Sequence, residues 1–197
     1  MDMKKKRIAI FASGSGTNAQ KFFEFFQEHS AATIQLVLTN NASARVRARA
    51  DAFDISSYVY PRKYWANGEE VFTLLKKEQI DYIVLAGFML LLPPKLIQSF
   101  PNRIFNIHPA LLPKYGGKGM YGMHVHRAVK VAGDQLSGIT IHYVNEKYDE
   151  GQIIFQASCK IKDSDSAEEI AQKVLLLEHE NYPKVVEEVI LKSIKNS

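Results

Sequence analysis

The stretch Arg7-Ile8-Ala9-Ile10-Phe11-Ala12-Ser13-Gly14-Ser15-Gly16-Thr17-Asn18-Ala19 decides the fold. Its first half is a continuous apolar run, Arg7–Ala12, which reads as a strand buried on both faces. Its second half is a glycine turn that opens directly into a helix, Asn18–Glu28. Strand, turn and helix in that order begin a unit of parallel sheet. The turn has chemistry of its own. Glycine allows a tight turn and close backbone approach, and the helix N-terminus offers free N–H groups at the positive end of its dipole. Both favour phosphate. Gly14-x-Gly16-x-x-Ala19 also matches the dinucleotide fingerprint. That fingerprint wants an acidic residue at the end of the second strand to hold a ribose, and here the strand ends in Thr39-Asn40-Asn41. A phosphomonoester is the preferred ligand; NAD or FAD and a purely structural turn are the alternatives.

Outward from this unit, short apolar runs alternate with helical stretches. Strands are expected at Thr33–Thr39, Ser56–Tyr60, Asp81–Ala86 and Arg103–Ile107. Helices are expected near Ala42–Ala52, at Gly68–Glu78 and at Pro94–Ser99. After residue 120 the pattern changes. His124–Ala132 reads as a helix, and Ser137–Asn145 and Gln152–Lys160 as two longer strands, an antiparallel pair. Ser166–Ile194 is a long amphipathic helix that Ser166 and Glu169 open with a capping box. Pro183 is expected to kink or break it. The sum is an α/β protein with a Rossmann-like, mostly parallel sheet and helices on both faces, extended by late antiparallel strands and a long C-terminal helix.

The 197 residues fit one continuous unit, and a chain of this length buries about 70% of its unfolded surface without a disulfide or metal staple. Apolar residues make up 46% and charged residues 23%, which excludes disordered, collagen-like and coiled-coil classes. The single cysteine, Cys159, permits no intrachain disulfide and fits a reducing cytosol. The net charge of +4 owes three units to Lys4, Lys5 and Lys6, so a general attraction to nucleic acid is not expected. Ile8–Ala12 is too short for a signal-peptide core or a membrane span.

A second segment carries chemistry: Asn106-Ile107-His108-Pro109-Ala110-Leu111-Leu112-Pro113. Asn106 and His108 are two apart, so a strand puts them on one face. In an open α/β sheet ligands bind beyond the carboxyl ends of the strands. An amide donor beside an imidazole can hold a carbonyl oxygen and move a proton, which suits acyl transfer. Tyr148-Asp149-Glu150-Gly151 lies between the two late strands, where a carboxylate can face the end of the Asn106–His108 strand. An Asp there would favour the imidazolium of His108 and orient it. His142 reads equally as a group behind the catalytic pocket and as a packed strand histidine.

Together these segments resemble the phosphoribosylglycinamide formyltransferases of purine synthesis. The matching pieces are Ser13–Asn18, Leu85-Ala86-Gly87-Phe88-Met89, Asn106–Lys114, Asp149-Glu150-Gly151 and Glu178-His179-Glu180-Asn181-Tyr182-Pro183, in the family's order. The resemblance implies that the amine of glycinamide ribonucleotide attacks the formyl carbon of 10-formyltetrahydrofolate, the co-substrate, with no metal. It implies that Asn106 binds the formyl oxygen, His108 donates a proton and Asp149 raises the His108 pKa. It further implies that Gly16, Thr17 and Asn18 wrap the phosphate, that Glu178 contacts the ribose, and that Phe88, Met89, Leu90, Leu91 and Leu92 line the folate pocket. Residues 1–100 would form the phosphate and ribonucleotide half, and 101–197 the folate and catalytic half. The enzyme would be cytoplasmic, a monomer or homodimer, with small-molecule substrates and neither nucleic acid nor membrane as partner.

The runners-up are a methionyl-tRNA formyltransferase, which carries a further C-terminal RNA-binding domain, and a formyltetrahydrofolate hydrolase, which carries a further N-terminal one. A non-enzymatic nucleotide-binding module explains the glycine loop but leaves Asn106, His108 and Asp149 without a task. Four glycines in Tyr115–Met123 suggest a mobile loop or a surface insertion. Arg62 or Lys63 is either a contact for the folate tail or a solvated charge, and Tyr64 and Trp65 compete for that register. Arg45, Arg47 and Arg49 read as solvated helix charges. His124 and His126 lack a third metal ligand at useful spacing.

Overall fold

The computed structural model describes residues 4–196. Lys6–Phe11 forms strand β1, and its burial explains the apolar run: Ile8 and Ile10 point to one face, Ala9 and Phe11 to the other, and all four are fully buried. Around it follow α1 (Thr17–Phe26), β2 (Ala32–Thr39), α2 (Val46–Asp51) and β3 (Ser56–Val59). A 3-10 turn at Arg62–Trp65 leads to α3 (Glu69–Lys77), β4 (Tyr82–Leu85), α4 (Pro94–Ser99) and β5 (Ile104–His108). The last elements are α5 (Met123–Ala132), β6 (Leu136–Tyr143), β7 (Ile153–Lys160) and α6 (Ala167–Lys195).

The seven strands form one sheet in the order β3-β2-β1-β4-β5-β6-β7. β1 pairs in parallel with both β2 and β4, and β4 with β5; the β5–β6 and β6–β7 pairs are antiparallel. The sheet is therefore mostly parallel, with the expected late antiparallel extension. Helices cover both faces. On one, α1 and α6 close over Ile8, Ile10, Val84 and Phe105 through Phe22, Tyr182 and Val186. On the other, α3 and α4 bring Val71, Leu75 and Leu96 against Phe11, Leu38 and Ile83. Tyr182, fully buried in α6, meets the Phe22 ring edge-on at 5.0 Å and donates its hydroxyl to the Leu85 carbonyl at 3.2 Å.

Two local expectations are corrected. Pro183 does not break the last helix, which runs from Ala167 to Lys195. Proline removes one backbone bond, but Val174, Tyr182, Val186 and Ile190 hold both halves on the sheet. The helix expected near Ala42–Ala52 begins only at Val46, because the Asn41 side chain takes the Ser43 N–H and hydroxyl at 3.0 and 2.8 Å and makes a turn of the first residues. Among the described residues no helix is long and apolar enough to cross a membrane.

The antiparallel extension is tight. A Cβ on Gly138 of β6 would lie 2.0 Å from the Ala157 carbonyl oxygen of β7. The variant Gly138→Ala should therefore force the two strands apart and cost about 1–3 kcal/mol. The expected reading is a lower midpoint in denaturant unfolding with an unchanged slope.

Candidate active site

β1 sits between β2 and β4, so the chain leaves the carboxyl ends of β1 and β4 in opposite directions, the switch point at which open α/β sheets bind ligands. The glycine turn lies at this edge. Gly16 adopts a φ of 73° as the N-cap of α1, and a Cβ there would lie 2.6 Å from the Val46 side chain. Only glycine satisfies both conditions. Helix geometry leaves the N–H groups of Thr17, Asn18 and Ala19 without an intrahelical acceptor. Beside them the Asn18 amide donates to Glu178 Oε2 at 2.6 Å, which ties α1 to the buried carboxyl of α6.

The next strands along the same edge hold the polar cluster. β5 ends at His108, one residue later than its expected end, and β6 returns antiparallel with His142 opposite Asn106 and Thr140 opposite His108. The Asn106 Nδ2 lies 3.1 Å from His142 Nε2. The segment joining β6 to β7 then folds back with Asp149 at a φ of 55°. Asp149 Oδ2 stands 3.4 Å from His108 Nδ1, and its Oδ1 stands 3.8 Å from His142 Nε2. Four side chains from three segments thus converge, and His108 and His142 are both buried.

The family model described as formyl transferase matches residues 6–186. The chain belongs to the formyl transferase family. It is 39% identical over 198 residues to the chloroplastic phosphoribosylglycinamide formyltransferase of Arabidopsis thaliana, covering 98% of this chain and 68% of that protein. Against the phosphoribosylglycinamide formyltransferase of Bacillus subtilis the identity is 35% over 190 residues, covering 94% of this chain and 95% of the relative. The crystal structure of the phosphoribosylglycinamide formyltransferase from Bacillus halodurans superposes with a TM-score of 0.86 at 36% identity, over 95% of this chain and 97% of that one.

Hydrogen-bond geometry assigns the protons in this formyl transferase. His142 Nδ1 faces its neighbour's carbonyl, Tyr143 O, at 2.9 Å, so Nδ1 carries the hydrogen and Nε2 is left to accept from the Asn106 amide. His142 in this neutral form fixes which way Asn106 points, and the second Nδ2 hydrogen stays available to a ligand oxygen. His108 is in a different position. Its Nε2 donates to the Tyr115 carbonyl at 2.7 Å while its Nδ1 faces the Asp149 carboxylate. The neutral ring keeps its Nε2–H on Tyr115, and only the imidazolium would also donate to Asp149. Burial pulls its pKa down, and the Asp149 charge and the Tyr115 carbonyl oppose that pull without overcoming it. The Asp149 charge acts upward on the His108 pKa, and burial outweighs it. Burial also pushes the Glu178 carboxyl up, against the Asn18 hydrogen bond.

The residues expected at the folate wall divide. Met89 and Leu91 are exposed, and Leu90 is half-buried. Phe88 packs on Phe11 and Trp65, with ring centroids 5.6 and 4.6 Å away. Leu92 is enclosed in the core with Leu96, so its side chain supports the segment from behind and offers no wall. Trp65 is likewise buried, while Arg62 and Lys63 are exposed.

Several contacts escaped the sequence reading because backbone atoms or long-range packing make them. The Tyr115 carbonyl holds His108, and the Gly117 N–H donates to Asp149 Oδ2 at 2.9 Å, so the glycine-rich loop lies across the His108–Asp149 pair. The Ser13 hydroxyl donates to Asn40 Oδ1 at 2.6 Å and accepts the Met89 N–H at 2.9 Å, joining the glycine turn after β1 to the segment after β4. His126, expected only as half of a metal pair, is buried on α5 and its charge would oppose that of His108.

Burial holds His108, His126, His142 and His179 below the ordinary histidine value. The unfolded chain therefore binds more protons than the folded one as pH falls through about 6.5, and stability is lost in that direction. Glu178, raised by burial, acts in the opposite sense as a single group. The thermal midpoint should fall between about pH 7 and pH 5.5, and the variant His126→Gln should lose part of that slope.

Proposed function

We propose that this chain transfers the formyl group of 10-formyltetrahydrofolate to the amine of glycinamide ribonucleotide, giving formylglycinamide ribonucleotide and tetrahydrofolate in purine synthesis. The observation that carries the reading is the meeting of Asn106, His108 and Asp149 at the carboxyl end of β5. The named relatives supply the acceptor.

The reaction needs an oxyanion donor and a proton carrier at one carbon. The amine attacks the formyl carbon, and the carbonyl electrons move onto oxygen. The free Nδ2 hydrogen of Asn106 meets that oxygen; such a donor lowers the barrier by about 3–4 kcal/mol. Collapse expels the folate nitrogen, which takes a proton as it leaves, while the former amine gives one up. His108 delivers the first. Asp149 balances the imidazolium that this requires in a buried place. On the phosphate side, the N–H groups of Gly16, Thr17 and Asn18 receive the ribonucleotide's phosphate, and Glu178 meets its ribose hydroxyls. On the folate side, Phe88–Leu91 supply the apolar surface a flat pterin wants. We read residues 1–197 as one domain working in the cytoplasm.

An absorbance assay with 10-formyl-dideazafolate tests the acceptor directly. Turnover is expected with glycinamide ribonucleotide and not with initiator methionyl-tRNA. Turnover on the tRNA alone would overturn the acceptor, and formate release without transfer would make the enzyme a hydrolase. His108→Ala should lower kcat by about 100- to 10,000-fold with an unchanged circular dichroism spectrum. In Asp149→Asn the loss of the carboxylate leaves burial less opposed, so the His108 ionisation in the pH–rate profile should move to lower pH.

A further inference from the structure

The three arginines Arg45, Arg47 and Arg49 do not share one fate. Arg45 and Arg47 are exposed, and Arg47 Nη1 reaches only the Ala42 carbonyl, at 2.9 Å. Arg49 is half-buried and turned toward the glycine loop. Its Nε donates to the Ser15 carbonyl at 2.8 Å, and its Nη1 donates to the Gln20 side-chain oxygen on α1. The same short helix grips the loop twice more. The Val46 N–H donates to the Gly14 carbonyl at 3.2 Å, and the Val46 side chain closes on Gly16.

These contacts have a consequence for the amides. A trans peptide is planar, and its C=O and N–H point in opposite directions. Holding the Gly14 carbonyl on α2 turns the Ser15 N–H away from α2. Holding the Ser15 carbonyl on Arg49 does the same to the Gly16 N–H. The Gly16 carbonyl accepts the Gln20 N–H at 2.9 Å, which points the Thr17 N–H outward from the start of α1. These three N–H groups are thereby turned away from α2 and out of α1.

We propose that Arg49 is a positioning residue for the acceptor's phosphate: its guanidinium fork, spanning Ser15 and Gln20, aims the Gly16 amide at the phosphoryl oxygens. The inference rests on the reading that this loop takes the ribonucleotide phosphate. The fork matters more than the charge. Lysine has a single ammonium at the end of its chain, and it cannot reproduce the Nε bond and the Nη1 bond together.

The test compares steady-state kinetics of wild type, R49M, R49K and Q20M on glycinamide ribonucleotide and on its dephosphorylated nucleoside. For R49M the KM for the ribonucleotide should rise about tenfold, with kcat within about twofold and the KM for the formyl donor unchanged. R49K should behave like R49M, and Q20M, which frees one arm of the fork, should give a smaller rise in the same constant. On the nucleoside every variant should match wild type. An unchanged KM in R49M would overturn the proposal. Full rescue by R49K would replace positioning by simple charge and overturn it too, as would an equal loss on the nucleoside. Should R49M melt below the assay temperature, R49K and Q20M carry the same comparison. A wild type that works equally well on ribonucleotide and nucleoside would instead refute the phosphate reading itself.

Discussion

The reversal of strand direction between β5 and β6 is the constraint on which the site depends. Five strands before it run parallel, and each exits toward the same edge of the sheet. An antiparallel β6 enters at that edge instead, which sets His142 directly beside Asn106 in the pairing register. The chain must then turn back for β7, and the turn-back segment carries Asp149 to His108. A one-residue slip in this register would face His142 the other way and dissolve the cluster. Gly138, and Gly151, where a Cβ would lie 1.6 Å from the Tyr143 carbonyl oxygen, leave room for the close backbone approach that this pairing requires.

The polar edge stands on an apolar foundation. Buried imidazoles and a buried carboxyl destabilise a fold unless each has a partner. Here the two faces of the sheet supply two continuous cores, and the polar groups are confined to the rim where strands end. The partners are largely backbone: Tyr143 O for His142, Tyr115 O for His108, Gly117 N–H for Asp149. That choice makes the glycine-rich loop part of the environment of His108 and Asp149. Asn18 and Glu178 solve the same problem between α1 and α6, with Asn18 Oδ1 left without a partner in the protein among the described residues.

Much of the architecture was legible locally. Strand–turn–helix order follows from apolar runs and glycines, and the capping box at Ser166 forms as written, with the Glu169 N–H on Ser166 Oγ at 3.1 Å. Asn106 and His108 share a strand face by period alone. The errors share a cause as well. Proline rules describe an isolated helix, and α6 at Pro183 is not isolated. Leu92 reads like its exposed neighbours Met89 and Leu91, yet the turn into α4 carries it into the core. Arg49 has the same sequence surroundings as Arg45 and Arg47, and only the placement of α2 beside the glycine loop separates it from them.

By itself the sequence determined the order and kind of the elements, the glycine at position 16 and the pairing of an amide with an imidazole two residues apart. These are properties of short windows, set by backbone sterics and by periods of two and 3.6 residues. Tertiary structure alone decided which distant groups meet: Asp149 with His108, His142 with Asn106, Glu178 with Asn18, Arg49 with Ser15. It also decided the protonation balance at His108, because burial and neighbouring charge act through space. Distances of 3–4 Å between residues far apart in the chain depend on strand order and register, and no local window contains either.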